Sequence, residues 1–123
     1  SYFFVSLQYL ASADDLLAIS EFSGGRFFCD ETIDAANDLD QVAAQIAAMD
    51  AVITISNSTA HMAGALGVPV ATVVPSGYGG FWYWFRERAD SPWYPSMRIC
   101  RQNMPGDWTH AILEAIDWLK RLN

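Results

Sequence analysis

The sequence predicts an α/β fold, a doubly wound layer built on a mostly parallel sheet. Between residues 39 and 74 the pattern runs helix, strand, helix, strand with very short links, which is the alternation of such folds. The strand runs at 51–56 and 70–74 are almost wholly apolar, as befits parallel strands covered on both faces. A last apolar stripe at helical spacing lies near residue 123.

Size and composition bound the rest. The chain has 123 residues, enough for one domain with a real core, and 52% of them are hydrophobic. The net charge is −7, with only 7 Lys and Arg in all, so a nucleic-acid-binding face is not expected. No apolar run reaches the roughly 20 residues that span a bilayer. SYFFVSLQYL has neither a basic region nor a cleavage site and reads as a strand rather than a signal peptide, as in a piece of a longer protein. Cys29 and Cys100 are not spaced as a zinc or redox motif; two buried free thiols suit a cytoplasmic protein.

Taken in order, Tyr2 to Leu7 is the first strand, apolar enough to be central, and ends at Gln8. Ser12 to Ile19 is a short helix with Ser12 as its cap and Asp14 and Asp15 in the first turn, where negative charge is favoured. Ser23, Gly24 and Gly25 make a turn, Arg26 to Cys29 a short strand, and Asp30 to Asn37 an acidic loop. Leu39 to Met49 is a helix capped by Asp38, with Leu39, Val42, Ile46 and Met49 on one stripe.

The central unit follows. Ala51 to Ser56 is a strand, and Asn57 and Ser58 are both suitable N-caps for a short Ala-rich helix over Thr59 to Leu66. Gly67 and Pro69 end that helix, and Val70 to Val74 is the next strand. Ser56, Asn57, Ser58, Thr59 and His61 therefore gather where a strand ends and a helix begins. Open α/β sheets bind ligands there, and the first helical N–H groups suit an anion such as phosphate. Ser58 and Thr59 also serve as plain capping residues, and a lone His in an Ala-rich helix is equally a packed, hydrogen-bonded residue. Gly64 is read as permitting close helix–sheet packing.

Past Val74, Ser76, Gly77 and Tyr78 lie in a Gly-rich loop at another strand's carboxyl end, and join Gln8 as candidates for ligand contact. The segment 81–95 holds seven aromatic residues. Five in a row cannot all point inward, so part of Phe81 to Phe85 is exposed or covered by something else. Trp82 and Trp84 are candidates for stacking on a base or facing another domain. Arg86 and Arg88 either neutralise a diphosphate or form a solvated charge cluster with Glu87 and Asp90. Met97 to Cys100 is the final strand. Asp107 caps a helix whose Trp108, Ile112, Ala115, Ile116, Leu119 and Leu122 are spaced to pack on the sheet. His110 reads as a surface residue. No metal-ligating cluster is apparent, and no metal is expected.

Residues 38–70 resemble the donor-binding half of GT-B glycosyltransferases. The resemblance rests on Asp50, Val52 and Ile53, then Asn57, Ser58, His61, Ala63, Gly64, Ala65, Leu66, Gly67, Pro69 and Val70. It is nearest to the heptosyltransferase family (glycosyltransferase family 9) and to the O-GlcNAc-transferase-like domains that follow tetratricopeptide repeats in bacterial proteins. The segments 90–102 and 106–108, and Ser6, Leu7 and Gln8, are similar to the repeat-linked members. The resemblance implies a Rossmann-like three-layer αβα domain, one half of a GT-B fold. Its ligand would be a nucleotide-diphospho-sugar, held by Gln8, Ser56, Asn57, Ser58, Thr59, His61, Ser76, Gly77 and Tyr78 without a metal. Its partners would be an N-terminal acceptor half and tetratricopeptide repeats. The family usually carries Asp where this chain has Asn57, which removes a charge and leaves open a degenerate domain that serves as a protein-interaction module.

Overall fold

The computed structural model describes residues 1–123 and shows an α/β chain with two parallel sheets and four α-helices. It divides into two compact units, Ser1–Gln45 and Ile46–Asn123.

In the first unit, strand β1 (Phe4–Val5) pairs in parallel with β2 (Phe27–Phe28), Phe4 opposite Phe27 and Val5 opposite Phe28. Between them lies helix α1 (Ala13–Phe22). Ser12 caps it as the sequence predicts: its Oγ accepts from Asp15 N–H at 3.1 Å and donates to the Asp15 carboxylate at 2.7 Å. Gly24 and Gly25 then turn the chain at φ of 61° and 78°, a region glycine enters without steric cost. The first strand is shorter than its apolar run implies, and Phe3 and Phe4 are exposed rather than central. Composition alone cannot distinguish a strand with two covered faces from one with a bare face. The acidic loop is held by its own side chains. Asp30 accepts from the Thr32 hydroxyl and N–H, and Asp34 from Asn37 and Ala36. Those bonds hold both carboxyls below the usual carboxylate range.

Helix α2 (Leu39–Ala47) is capped by Asp38, whose Oδ1 accepts from Gln41 N–H at 3.1 Å. It stops two residues before the predicted Met49. Of its apolar stripe Ile46 is fully buried, whereas Leu39 is exposed.

The second unit is a three-stranded parallel sheet in the order β3 (Val52–Ile55), β4 (Val70–Val74), β5 (Met97–Arg101). Val52 pairs with Val70 and Val70 with Met97; at the other end Ile55 pairs with Val73, and Val74 with Arg101. All five residues of β4 are buried, so both faces of the central strand are covered. Helix α3 (Ser58–Ala65) packs on β3 and β4. Helix α4 (Thr109–Leu122) packs on β4 and β5, placing Ala111, Ala115 and Trp118 against Ala71, Val73 and Cys100.

Three expectations need correction here. Ile53 and Ile55, on the edge strand, are exposed, so β3 has one open face despite its apolar composition. The packed stripe of α4 is the buried Ala111 and Ala115 with the half-buried Trp118 beside them, while Ile112 and Ile116 are exposed. Small residues let the helix approach the sheet closely, so the largest apolar side chains do not mark the packed face. The N-cap of α4 is Trp108 rather than Asp107, although Asp107 Oδ1 still accepts from Thr109 N–H at 3.0 Å. No helix is long and apolar enough to cross a membrane.

Candidate functional site

The turn between β3 and α3 is built from its cap outward. Asn57 sits in extended conformation, and its Oδ1 accepts from Ala60 N–H at 3.2 Å and from the Thr54 hydroxyl at 3.1 Å. Asn57 alone is therefore the cap. Ser58 and Thr59 are the first two helical residues, whose N–H groups have no partner inside the helix. Asn57 and Ser58 are exposed, and Thr59 is half-buried.

Ser56, just before the cap, is already engaged. Its Oγ accepts from the indole N–H of Trp84 at 2.8 Å. Trp84 belongs to a 3₁₀ turn (Trp82–Trp84) and is completely buried. Its ring stacks on the His61 imidazole, with centroids 4.9 Å apart and planes 19° from parallel. Tyr83 and Tyr94 meet the same imidazole edge-on at 5.1 and 5.7 Å. Tyr94 Oη lies 2.9 Å from His61 Nδ1. His61 is thus both packed and hydrogen-bonded, with Nε2 left free of any hydrogen bond. Gly64 stands one turn on. A Cβ there would come within 2.5 Å of the Tyr94 ring, so the glycine makes room for a tyrosine rather than for the sheet.

Beside Ser56 a cavity of about 200 Å³ opens, lined by Ile55, Ser56, Val73, Pro75, Gly79, Phe81 and Trp108. Its aromatic walls are Phe81 and Trp108, not the predicted Trp82 and Trp84. Trp82 projects outward and packs edge-on to Trp93, and Trp84 serves as internal scaffold. The loop after β4 borders this cavity through Pro75 and Gly79. Ser76 N–H donates to Gln102 Oε1 at 3.1 Å, while Ser76 Oγ and Gln102 Nε2 are buried without hydrogen-bond partners. Gly77 turns the loop at φ 77°, and Tyr78 is fully exposed.

Gln8 lies in the first unit, where with Ser6, Cys29, Asp30 and Gln45 it lines a small cavity of about 40 Å³. Arg88 is held by Asp90 through two hydrogen bonds of 2.9 Å, and Arg86 is exposed; this is the solvated cluster of the two readings. His110 is exposed. No group of three or more His, Cys, Asp or Glu side chains is placed to hold a metal ion.

Sequence reasoning missed Tyr94 and Arg101. Tyr94 lay in a Pro-flanked stretch with no periodicity. Arg101 extends β5 one residue past the predicted end, and its Nη2 donates to the Trp84 carbonyl at 3.1 Å.

No family model matches the chain, and no solved structure matches it. Protein FlbA of Caulobacter vibrioides is 38% identical over 106 residues, which covers 85% of this chain. The chain spans only 17% of that relative's length.

Proposed function

We propose that this chain is the donor-binding half of a GT-B-type glycosyltransferase, Rossmann-like in architecture, and that the turn Ser56–His61 receives a nucleotide-diphospho-sugar. The observation that carries the reading is the convergence of four features at the carboxyl end of β3. These are the free N–H groups of Ser58 and Thr59, the unengaged Nε2 of His61, the cavity beside Ser56, and the aromatic walls Phe81 and Trp108. Backbone N–H groups at a helix start suit a diphosphate, and flat apolar walls suit a base. In transfer, the same N–H groups would meet the charge that develops on the departing diphosphate, with no reorganisation needed at that moment. The acceptor and the remaining machinery would come from a partner half and tetratricopeptide repeats.

Calorimetric or thermal-shift titration with UDP, ADP, GDP, CMP and their sugar conjugates tests this. A ligand at about 100 times its Kd adds roughly 2.7 kcal/mol to stability. Ser58→Pro is the sharpest variant, since it removes an N–H and a hydroxyl at the first helical position, where proline is tolerated. Asn57, at ψ −176°, already has the extended conformation that a following proline demands. A folded Ser58→Pro chain with unchanged nucleotide affinity would refute the assignment of this turn.

The second reading, a degenerate domain acting as an interaction module, draws on the exposed Tyr78, Trp82 and Trp93 and on Asn57 in place of the family's Asp. Absence of any nucleotide-induced shift would favour it.

A further inference from the structure

The net charge of −7 is not spread over the molecule. The unit Ser1–Gln45 holds eight of the 14 Asp and Glu but only one of the 7 Lys and Arg, Arg26. It carries the whole −7, while Ile46–Asn123, with six of each sign, is neutral. The ion pairs divide the same way. Arg88–Asp90, Arg98–Glu114 and Lys120–Asp117 all lie in the second unit. In the first, Asp15, Asp30, Asp34 and Asp38 accept from hydroxyl, amide and backbone groups, and Arg26 Nε donates to the Ser23 carbonyl at 3.1 Å. Its negative charge is therefore uncompensated, and a surface of one sign draws partners of the other.

The same unit leaves a helix face bare. None of the 10 residues of α1 is fully buried. Phe22 is 94% exposed and Leu17 61%, and Ile19 is exposed as well. Helical spacing sets these side chains among acids. Asp14, Leu17 and Glu21 follow one line of the helix surface, and Asp15, Ile19 and Phe22 follow another. The three acids have no cationic partner and the three apolar side chains no cover. Exposed aromatic and aliphatic side chains rimmed by charge are the composition of protein contact surfaces. The charge then selects the partner. A second copy of this chain brings only a negative or a neutral unit to the face, and anionic lipid and nucleic acid are repelled by it. A polypeptide that interleaves Lys or Arg with apolar residues meets both kinds of side chain at once, because the long stems cover apolar surface while the charged heads reach the carboxylates.

We propose that the outer face of α1 docks a basic, amphipathic helical segment of another polypeptide. Phe22 and Leu17 are its apolar anchors, and Asp14, Asp15 and Glu21 pair with its cations. The ridges of α1 repeat at the spacing that a second helix fits. This surface is independent of the turn Ser56–His61 and does not rest on a nucleotide-sugar being bound there.

The test titrates the full chain, by fluorescence anisotropy, with three labelled peptides. These are an amphipathic Leu/Lys helix, the same helix with Glu in place of Lys, and a scrambled Leu/Lys peptide that lacks an apolar face. The first is expected to bind, and to bind more weakly as salt is added, while the other two bind at least tenfold more weakly. Phe22→Ser should weaken the first complex roughly tenfold, and Phe22→Leu should restore most of the loss. Asp14→Asn with Glu21→Gln should flatten the salt dependence. Leu113→Ser and Glu87→Gln, exposed positions of the second unit, should leave affinity unchanged. Melting temperature is recorded for each variant, and Leu17→Ser replaces Phe22→Ser if that chain does not fold. Equal binding of the scrambled peptide, or an equal loss with Leu113→Ser, reduces the effect to diffuse charge attraction and overturns the docking face. Equal binding of the Glu helix overturns the role of the carboxylates. Self-association in sedimentation that Phe22→Ser abolishes makes a second copy the occupant instead. A wild-type chain that binds none of the peptides overturns the proposal outright.

Discussion

The hydroxyl of Tyr94 meets Nδ1 of His61 at 2.9 Å across 33 residues of sequence. When the phenol donates to Nδ1, the imidazole carries its proton on Nε2, the nitrogen left free for a ligand. Tyr94→Phe is expected to leave the fold intact at a cost of about 1 kcal/mol. The ¹⁵N shifts of His61 should then move toward a mixture of tautomers. Shifts identical to wild type would show that Tyr94 does not set the proton's position.

Gly64 and Tyr94 occupy one space. Because a Cβ at residue 64 would sit 2.5 Å from Tyr94 Cγ, Gly64→Ala must push the ring away and break its bond to His61. Overpacking of this kind costs about 1–3 kcal/mol. In melting temperature that is roughly 4–8 °C per kcal/mol for a unit of this size. Adding Tyr94→Ala should recover part of the Gly64→Ala loss, so the two effects should fail to add when measured as a double-mutant cycle.

Asn57 caps α3 through an oxygen that an aspartate would also provide. Asn57→Asp should therefore keep the cap and add negative charge at a helix start, raising stability by about 0.3–1 kcal/mol at low ionic strength. The same charge stands beside the proposed anion site, so pyrophosphate affinity should fall as the melting temperature rises. Both effects should shrink in salt. If both quantities rise together, the carboxylate has a positive role in the ligand's site.

Burial pushes the Cys100 thiol from its ordinary 9.0 up to about 11. The folded state therefore prefers the neutral thiol more strongly than the unfolded state does. Its contribution to stability is complete below pH 9 and is lost as the pH rises from 9 through 11. Melting curves over that range should fall more steeply for wild type than for Cys100→Ala. Parallel slopes would mean that the buried thiol does not couple to folding. At neutral pH Cys100 should also resist alkylation in the folded chain.

Much of the fold was legible because it rests on local rules. Ser12, Asp38 and Asn57 are caps that the sequence announces, and Gly24 and Gly67 stop or turn the chain where glycine is needed. The five strands and four α-helices overlap the segments that caps, stop signals and hydrophobic pattern mark, although β1 spans only Phe4–Val5 of the run Tyr2 to Leu7. The errors share a cause. Ile53, Ile55, Ile112 and Ile116 are apolar yet exposed, and Ala111 and Ala115 are small yet buried, because burial depends on what stands opposite and not on the residue alone. The turn Ser56–His61 was readable as a place. Its supports were not, since Trp84 and Tyr94 reach it from the irregular segment 81–95, which carries no periodic signal.

The bond from Trp84 to Ser56 spans 28 residues, and the one from Tyr94 to His61 spans 33. In the order of synthesis the turn is made first and its braces last. During that interval it can be capped but not oriented, because closing these loops must precede the contacts that hold them. A chain cut after β4 would therefore retain the motif while losing the residues that brace it.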